Sequence, residues 1–341
     1  MRKLLVVALM ALCVVSCSKS TENDKYKEKL DVKCDNLEPR KVEIIEYNKA
    51  LFSIDTANFY EGIQAIRPQF QVFLGDSLTP HDVQYFKNFV TDDFAIKINE
   101  LTEKTFPNIA LVSNKVKGVY QHLKYYYPDI KMPPTYTYVS GLNLEYNPVM
   151  INPEEFVIIS LDFYLDNKDF VYDQVGMPRY ISRNRQPSFL THDLSEAIYK
   201  TYIKDDSYQY FRTKDVLTEM IDQGKKYLFI EAMDPSMNDS IILGYSSKQM
   251  EWAKENEGEI WDAVVGNNML YAKGMEQFRV LFGDGPCTQG FGKSSPARLG
   301  DFIGLQIVRS FLSNNDDSFL DLMKNTDYQD IFQRSQYKPR K

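Results

Sequence analysis

Five consecutive residues, His192-Asp193-Leu194-Ser195-Glu196, have the types and spacing that could do chemistry. Metal-dependent hydrolases set two histidines at i and i+4 on one helix face, with a carboxylate beside the first to polarise a metal-bound water. Here His192 and Glu196 have that spacing, and Asp193 stands in the place of the base. The next predicted helix offers Glu219 and Asp222 as a third ligand. The departures are large: the second histidine is a glutamate and the base is one methylene shorter. Leu190, Leu194, Ala197 and Thr201 form the buried stripe of this helix, with His192 and Glu196 nearly opposite, where they could line a groove. The pattern favours a degraded site over a working one, with an anchored zinc hydrolase as the alternative.

Other chemistry finds little support. His81, His122 and His192 are the only histidines, which caps any histidine-rich metal site. There is no Gly-x-Ser-x-Gly elbow and no glycine loop to cradle a phosphate. Asp162 with Asp166, Asn167 and Asp169, and the run Asn314-Asn315-Asp316-Asp317, are acidic, yet neither has the calcium loop's central glycine and final glutamate. The 23 tyrosines, with the run Tyr125-Tyr126-Tyr127, raise a glycan platform as a further alternative. Core packing is the expectation for Trp252 and Trp261. The expected cofactor set is empty, with zinc the one candidate.

Cys17 points to where the chain works. Met1-Arg2-Lys3, an apolar stretch from Leu4 to Val15, and small residues before Cys17 read as a lipoprotein signal. The apolar core is about a dozen residues, short for a bilayer-spanning helix. The expectation is a signal peptide over 1–16. Cleavage would free Cys17 to be acylated, palmitate included, on its thiol and new amino group. Residues 17–34 would form a lipidated tether and 35–341 a single domain. The partners expected are a membrane, through that lipid, and an unidentified cell-envelope protein. A lean towards the periplasmic leaflet of the outer membrane follows from Ser18-Lys19-Ser20-Thr21-Glu22, which lacks a dense acidic surface-export signal. Cys34 and Cys287 could pair in an oxidising compartment. A net charge of −7 argues against nucleic acid, which needs a basic surface.

The elements that must position these residues are mostly helical. Val42 to Ile54 reads as a strand. From Asn58 to about Leu123 the period is helical, with Phe59, Ile63, Ile66, Phe70 and Phe73 on one face and Pro68 interrupting it. Ile109 to Tyr126 forms another helix. Thr135–Val139 and Val157–Phe163, rich in β-branched and aromatic residues, read as strands of one small sheet. Helices follow near 188–203, 214–230, 246–266, 296–313 and 318–333. Ser246 with Gln249 is a capping box, and Ser294-Ser295-Pro296 opens a later helix. Leu299, Ile303, Ile307 and Phe311 make that helix's core stripe, while Gly300 and Gly304 permit a close approach. The expected class is α+β, mostly helical, with one small sheet.

The second half resembles the gliding-motility lipoprotein GldB family of the Bacteroidetes. The residues that carry the resemblance begin with Ile158-Ile159-Ser160-Leu161-Asp162, Tyr164-Leu165 and Met177-Pro178-Arg179-Tyr180-Ile181. They continue through the segments 219–229 and 239–246, with Gln249, Trp252, Asn256-Glu257, Ile260-Trp261 and Gly285-Pro286. Ser295-Pro296-Ala297-Arg298-Leu299-Gly300, the segment 304–309 and Tyr337-Lys338-Pro339 close the set. The resemblance implies an envelope lipoprotein that gliding, and the secretion associated with it, requires. It also implies a distant similarity to zincin-like peptidases. Carried over, the metal set is His192, Glu196 and Gln223, with Asp193 as base, which is a degraded set. A zincin-like scaffold without catalysis is therefore the expectation.

Overall fold

The computed structural model describes residues 25–166, 170–204 and 214–340. Cys17, the signal peptide and the first part of the tether lie outside them, as do Asn167 and Asp169. The tether is shorter than expected. Helix α1 (Lys25–Leu30) already belongs to the fold, with Tyr26 and Leu30 buried.

The small sheet has four strands: β1 (Ile44–Glu46), β2 (Thr135–Tyr138), β3 (Val149–Asn152) and β4 (Phe156–Ser160), in the order β1-β2-β4-β3. β1 and β4 flank β2 in parallel, and β3 closes the edge antiparallel to β4. β2 alternates: Thr135 and Thr137 are buried, while Tyr136 and Tyr138 turn to the other face. That second face is covered by an aromatic cluster built on Tyr47, Phe59, Ile63 and Phe70. A strand buried on both faces needs no alternation, which is why β4 reads as the unbroken apolar run Val157-Ile158-Ile159. The strand expected over 42–54 is cut to three residues, because the chain turns at Glu46 into a helix, Tyr47–Phe52. β3 was not foreseen; antiparallel pairing with β4 is what makes it a strand.

Pro68 breaks the predicted helix after Ile66, as expected. α2 (Ile109–Tyr126), α3 (Leu190–Ile198), α4 (Val216–Met233) and α5 (Leu299–Asn314) carry the rest of the argument. α5 is central. It is buried on nearly every side from Leu299 to Leu312, and not only along the expected stripe. Glycines set how closely it packs against α4: a methyl on Gly304 would overlap the Met220 carbonyl of α4, and Gly224 faces Gly304 across the crossing. α5 starts at Leu299, later than the Ser294–Pro296 signal suggested, and its cap is Arg298 in the left-handed conformation. The Ser246–Gln249 capping box forms as expected. The helix it opens stops at Glu255, so Trp252 and Trp261 lie on two helices, both partly buried against the core.

A buried charge network ties α1 to the centre. Arg309 donates to Glu231 at 2.8 and 3.0 Å and to Asp239 at 2.8 Å, while the Tyr26 hydroxyl donates to Glu231 at 3.1 Å. Among the described residues no helix is long and apolar enough to cross a membrane. Cys34 and Cys287, which the sequence leaves open as a pair, are free thiols here, the first buried.

Candidate functional site

His192, Asp193 and Glu196 share one wall of a polar cavity of about 350 Å³. α3 presents them there because Leu190, Leu194 and Ile198, on its other face, are buried in the core. The floor comes from Tyr227 on α4. The rest of the lining is the loop through Arg183 and Arg185, the turn Leu243-Gly244-Tyr245, and the segments around Asp284 and Arg298.

Two backbone features close the walls. Gly244 has φ +67°, and a Cβ there would meet the Asn184 amide nitrogen at 2.8 Å and the Arg298 guanidinium at 3.2 Å. Its carbonyl accepts from Arg183 and Asn184, each at 3.0 Å. Arg298 has φ +58°, which costs a non-glycine residue about 1–2 kcal/mol. Its side chain offsets this by joining three segments. The guanidinium donates to the Tyr227 hydroxyl at 2.7 Å and the Leu243 carbonyl at 2.8 Å, and pairs with Asp284 at 3.3 Å. Tyr227 passes the chain of bonds on to the buried Asp301 at 2.8 Å. Burial pushes the Asp301 carboxyl up, against the pull of Lys226 and Arg298.

Zinc is the metal this motif implies, and the donors present do not fit it. A histidine ligand must turn a nitrogen lone pair to the metal, whereas both ring nitrogens of His192 face protein oxygens. Nδ1 lies 2.9 Å from Asp193 Oδ1 and Nε2 lies 3.1 Å from the Ile242 carbonyl. Asp193 also accepts from the Tyr164 hydroxyl at 3.0 Å and from Arg185 at 3.3 Å. Glu196 pairs with Lys200 at 3.1 Å and Lys226 at 3.5 Å. Burial works to raise the Glu196 carboxyl, but Lys226, Lys200 and His192 outweigh it and hold it well below the usual carboxylate range.

The third-ligand candidates lie elsewhere: Glu219, Asp222 and Gln223 do not line the cavity. Lys214 pairs with both Glu219 and Asp222, at 3.1 Å to the latter, and Gln223 gives its amide to Glu219 at 2.6 Å. Among the described residues no group of three or more His, Cys, Asp or Glu is placed to hold a metal ion. The acidic loop at Asp162 is structural too. This residue is fully buried and accepts from the Ser140 and Leu142 backbone amides and the Ser140 hydroxyl.

The basic side of the cavity was missed by motif reasoning. Arg183, Arg185 and Arg298 stand in no recognisable catalytic pattern. A signal was nevertheless present. The separate segments 177–181, 219–229, 239–246, 285–286 and 295–300, by which the sequence resembles GldB proteins, all reach this cavity, through Tyr180, Tyr227, Gly244, Gly285 and Arg298 among others.

The family model described as gliding motility protein GldB matches residues 27–339, so the chain belongs to that family. No match is found among curated proteins or among solved structures. The match does not bear on the zincin-like similarity expected from the sequence.

Proposed function

We propose that this member of the GldB family is a lipid-anchored, non-catalytic component of the cell envelope that supports gliding motility or the secretion associated with it. The acylated Cys17 would hold it at the outer membrane, on the periplasmic side, with the folded part engaging an envelope protein partner. The observation that carries the non-catalytic reading is the engagement of every candidate metal donor by the protein itself. His192 is bonded at both nitrogens, Asp193 is held by three side chains, and Glu196 stands between two lysines. A water-activating site needs carboxylate or imidazole ligands with lone pairs free for the metal, and a metal with one position left open to water.

The test is complementation of a gene deletion in the source organism with wild type and with a His192→Ala/Glu196→Gln double variant, scoring surface spreading and protein secretion. The double variant, provided it accumulates and folds, is expected to restore the phenotype, because neither side chain performs chemistry. A stable double variant that fails would overturn the non-catalytic reading. So would about one zinc per chain, lost on His192→Ala, in protein purified without chelator or histidine tag; bound metal normally adds to folding stability.

A further inference from the structure

Arg183 stands out among the charges of the cavity. Its terminal nitrogens donate to neutral acceptors, the Gly244 carbonyl at 3.0 Å and the Gln249 side-chain oxygen. Among the described residues no carboxylate pairs with it. Its Nε is buried without a hydrogen-bond partner, and so is the Nε of Arg185 in the same cavity. Buried donors in folded proteins are nearly always bonded, so these two buried Nε groups show a basic side of the cavity that the chain itself supplies with too few acceptors. Burial lowers the Arg183 pKa, and the neighbouring Arg298 charge adds to that. Arg183 is half-buried, so water screens part of its charge and leaves part for a bound counter-charge.

We propose that this cavity binds a carboxylate on a ligand of about dipeptide size, with Arg183 as the anchor. The charge balance selects the anion: four basic side chains line the cavity against three carboxylates, leaving room for one negative charge. A phosphate dianion would meet those three carboxylates with a second charge that nothing balances. The guanidinium fork matches the two oxygens of a carboxylate. The volume of about 350 Å³ is at the small end of ligand cavities, and its lining is mainly polar, which suits a peptide backbone and not an apolar tail. The inference does not depend on a role in gliding.

The experiment is isothermal titration of the full chain, in mild detergent, with three probes: N-acetylglycylglycine, its C-terminal amide, and inorganic phosphate. The peptide acid is expected to bind at least about tenfold more tightly than the amide, and more tightly than phosphate. Arg183→Gln is expected to remove that preference, with Arg183→Lys recovering part of it. Should Arg183→Gln fail to fold, protection of Arg183 from phenylglyoxal by the acid, and not by the amide, reads the same contact in the wild type. Equal affinity for acid and amide, tighter binding of phosphate, no binding of the acid, or an unchanged Arg183→Gln variant each overturn the proposal. Cleavage of the peptide during the titration would instead contradict the non-catalytic reading while leaving binding intact.

Discussion

Gly304→Ala is the substitution for which the structure gives the firmest expectation. A methyl at this position would sit 2.5 Å from the Met220 carbonyl carbon and 3.0 Å from its Cα, and would overlap the carbonyl oxygen, where ordinary contact begins at 3.4 Å. These are backbone atoms of α4, so no rotamer change relieves the overlap. The two helices must part by roughly 1.5 Å, and a gap of that size forfeits about half or more of each contact's dispersion well. Both helices are buried on most sides, so the displacement is passed to neighbours that cannot yield. Overpacking costs typically about 1–3 kcal/mol, and backbone against backbone belongs at the top of that range or above it, offset by about 1 kcal/mol of helix propensity gained over glycine. The net of roughly 2 kcal/mol or more should lower Tm by about 3 °C or more for a chain with roughly 300 folded residues. Differential scanning calorimetry, paired with urea unfolding, measures it. Gly118→Ala in α2 is the control, since a methyl there meets nothing within 4 Å; it should be neutral or stabilising by up to about 1 kcal/mol. Gly224→Ala opens the same gap from the other side, so the double variant should cost less than the sum of the singles. Equal Tm values for Gly304→Ala and Gly118→Ala would refute the close-approach reasoning.

Two further perturbations test the interior. Burial pushes the Asp162 carboxyl up to about 6, from 3.8 for a free aspartate, over the hydrogen bonds that would lower it. The folded state therefore keeps a proton that the unfolded chain has lost. Asp162's contribution is fully present below about pH 4 and falls as pH rises towards about 6, by up to ~3 kcal/mol. Asp162→Asn keeps an acceptor for Ser140 and Leu142 and should abolish that slope. Urea unfolding of both proteins at pH 4.5 and 6.5 isolates the difference, and identical pH dependence would contradict it. Glu231→Leu leaves Arg309, 5% exposed, with Asp239 as its one carboxylate partner, and should cost about 3–5 kcal/mol. A Glu231→Leu/Arg309→Met double variant should recover much of that loss; a single-variant cost below about 1 kcal/mol by urea unfolding would contradict a buried ion pair here.

What the sequence determined is what neighbouring residues decide. β2 and β4 were legible from β-branched and aromatic runs, the interruption at Pro68 from a ring that cannot continue a helix, and the start at Ser246 from a capping box. The family was legible from ordered segments scattered over the second half. Tertiary structure decided the rest. β3 exists through its pairing with β4, Tyr26 and Leu30 are buried through contacts made far along the chain, and α5 lost its exposed face by lying at the centre. The His192 motif shows the same division. Its i, i+4 spacing placed His192 and Glu196 on one helix face, but their chemistry was set by the Ile242 carbonyl, by Tyr164 and Arg185 around Asp193, and by Lys226. Spacing along a helix fixes which side chains share a face. Which groups that face meets is fixed by packing between segments up to 50 residues apart, and Arg183 met the Gly244 carbonyl and Gln249, and no carboxylate, in the same way.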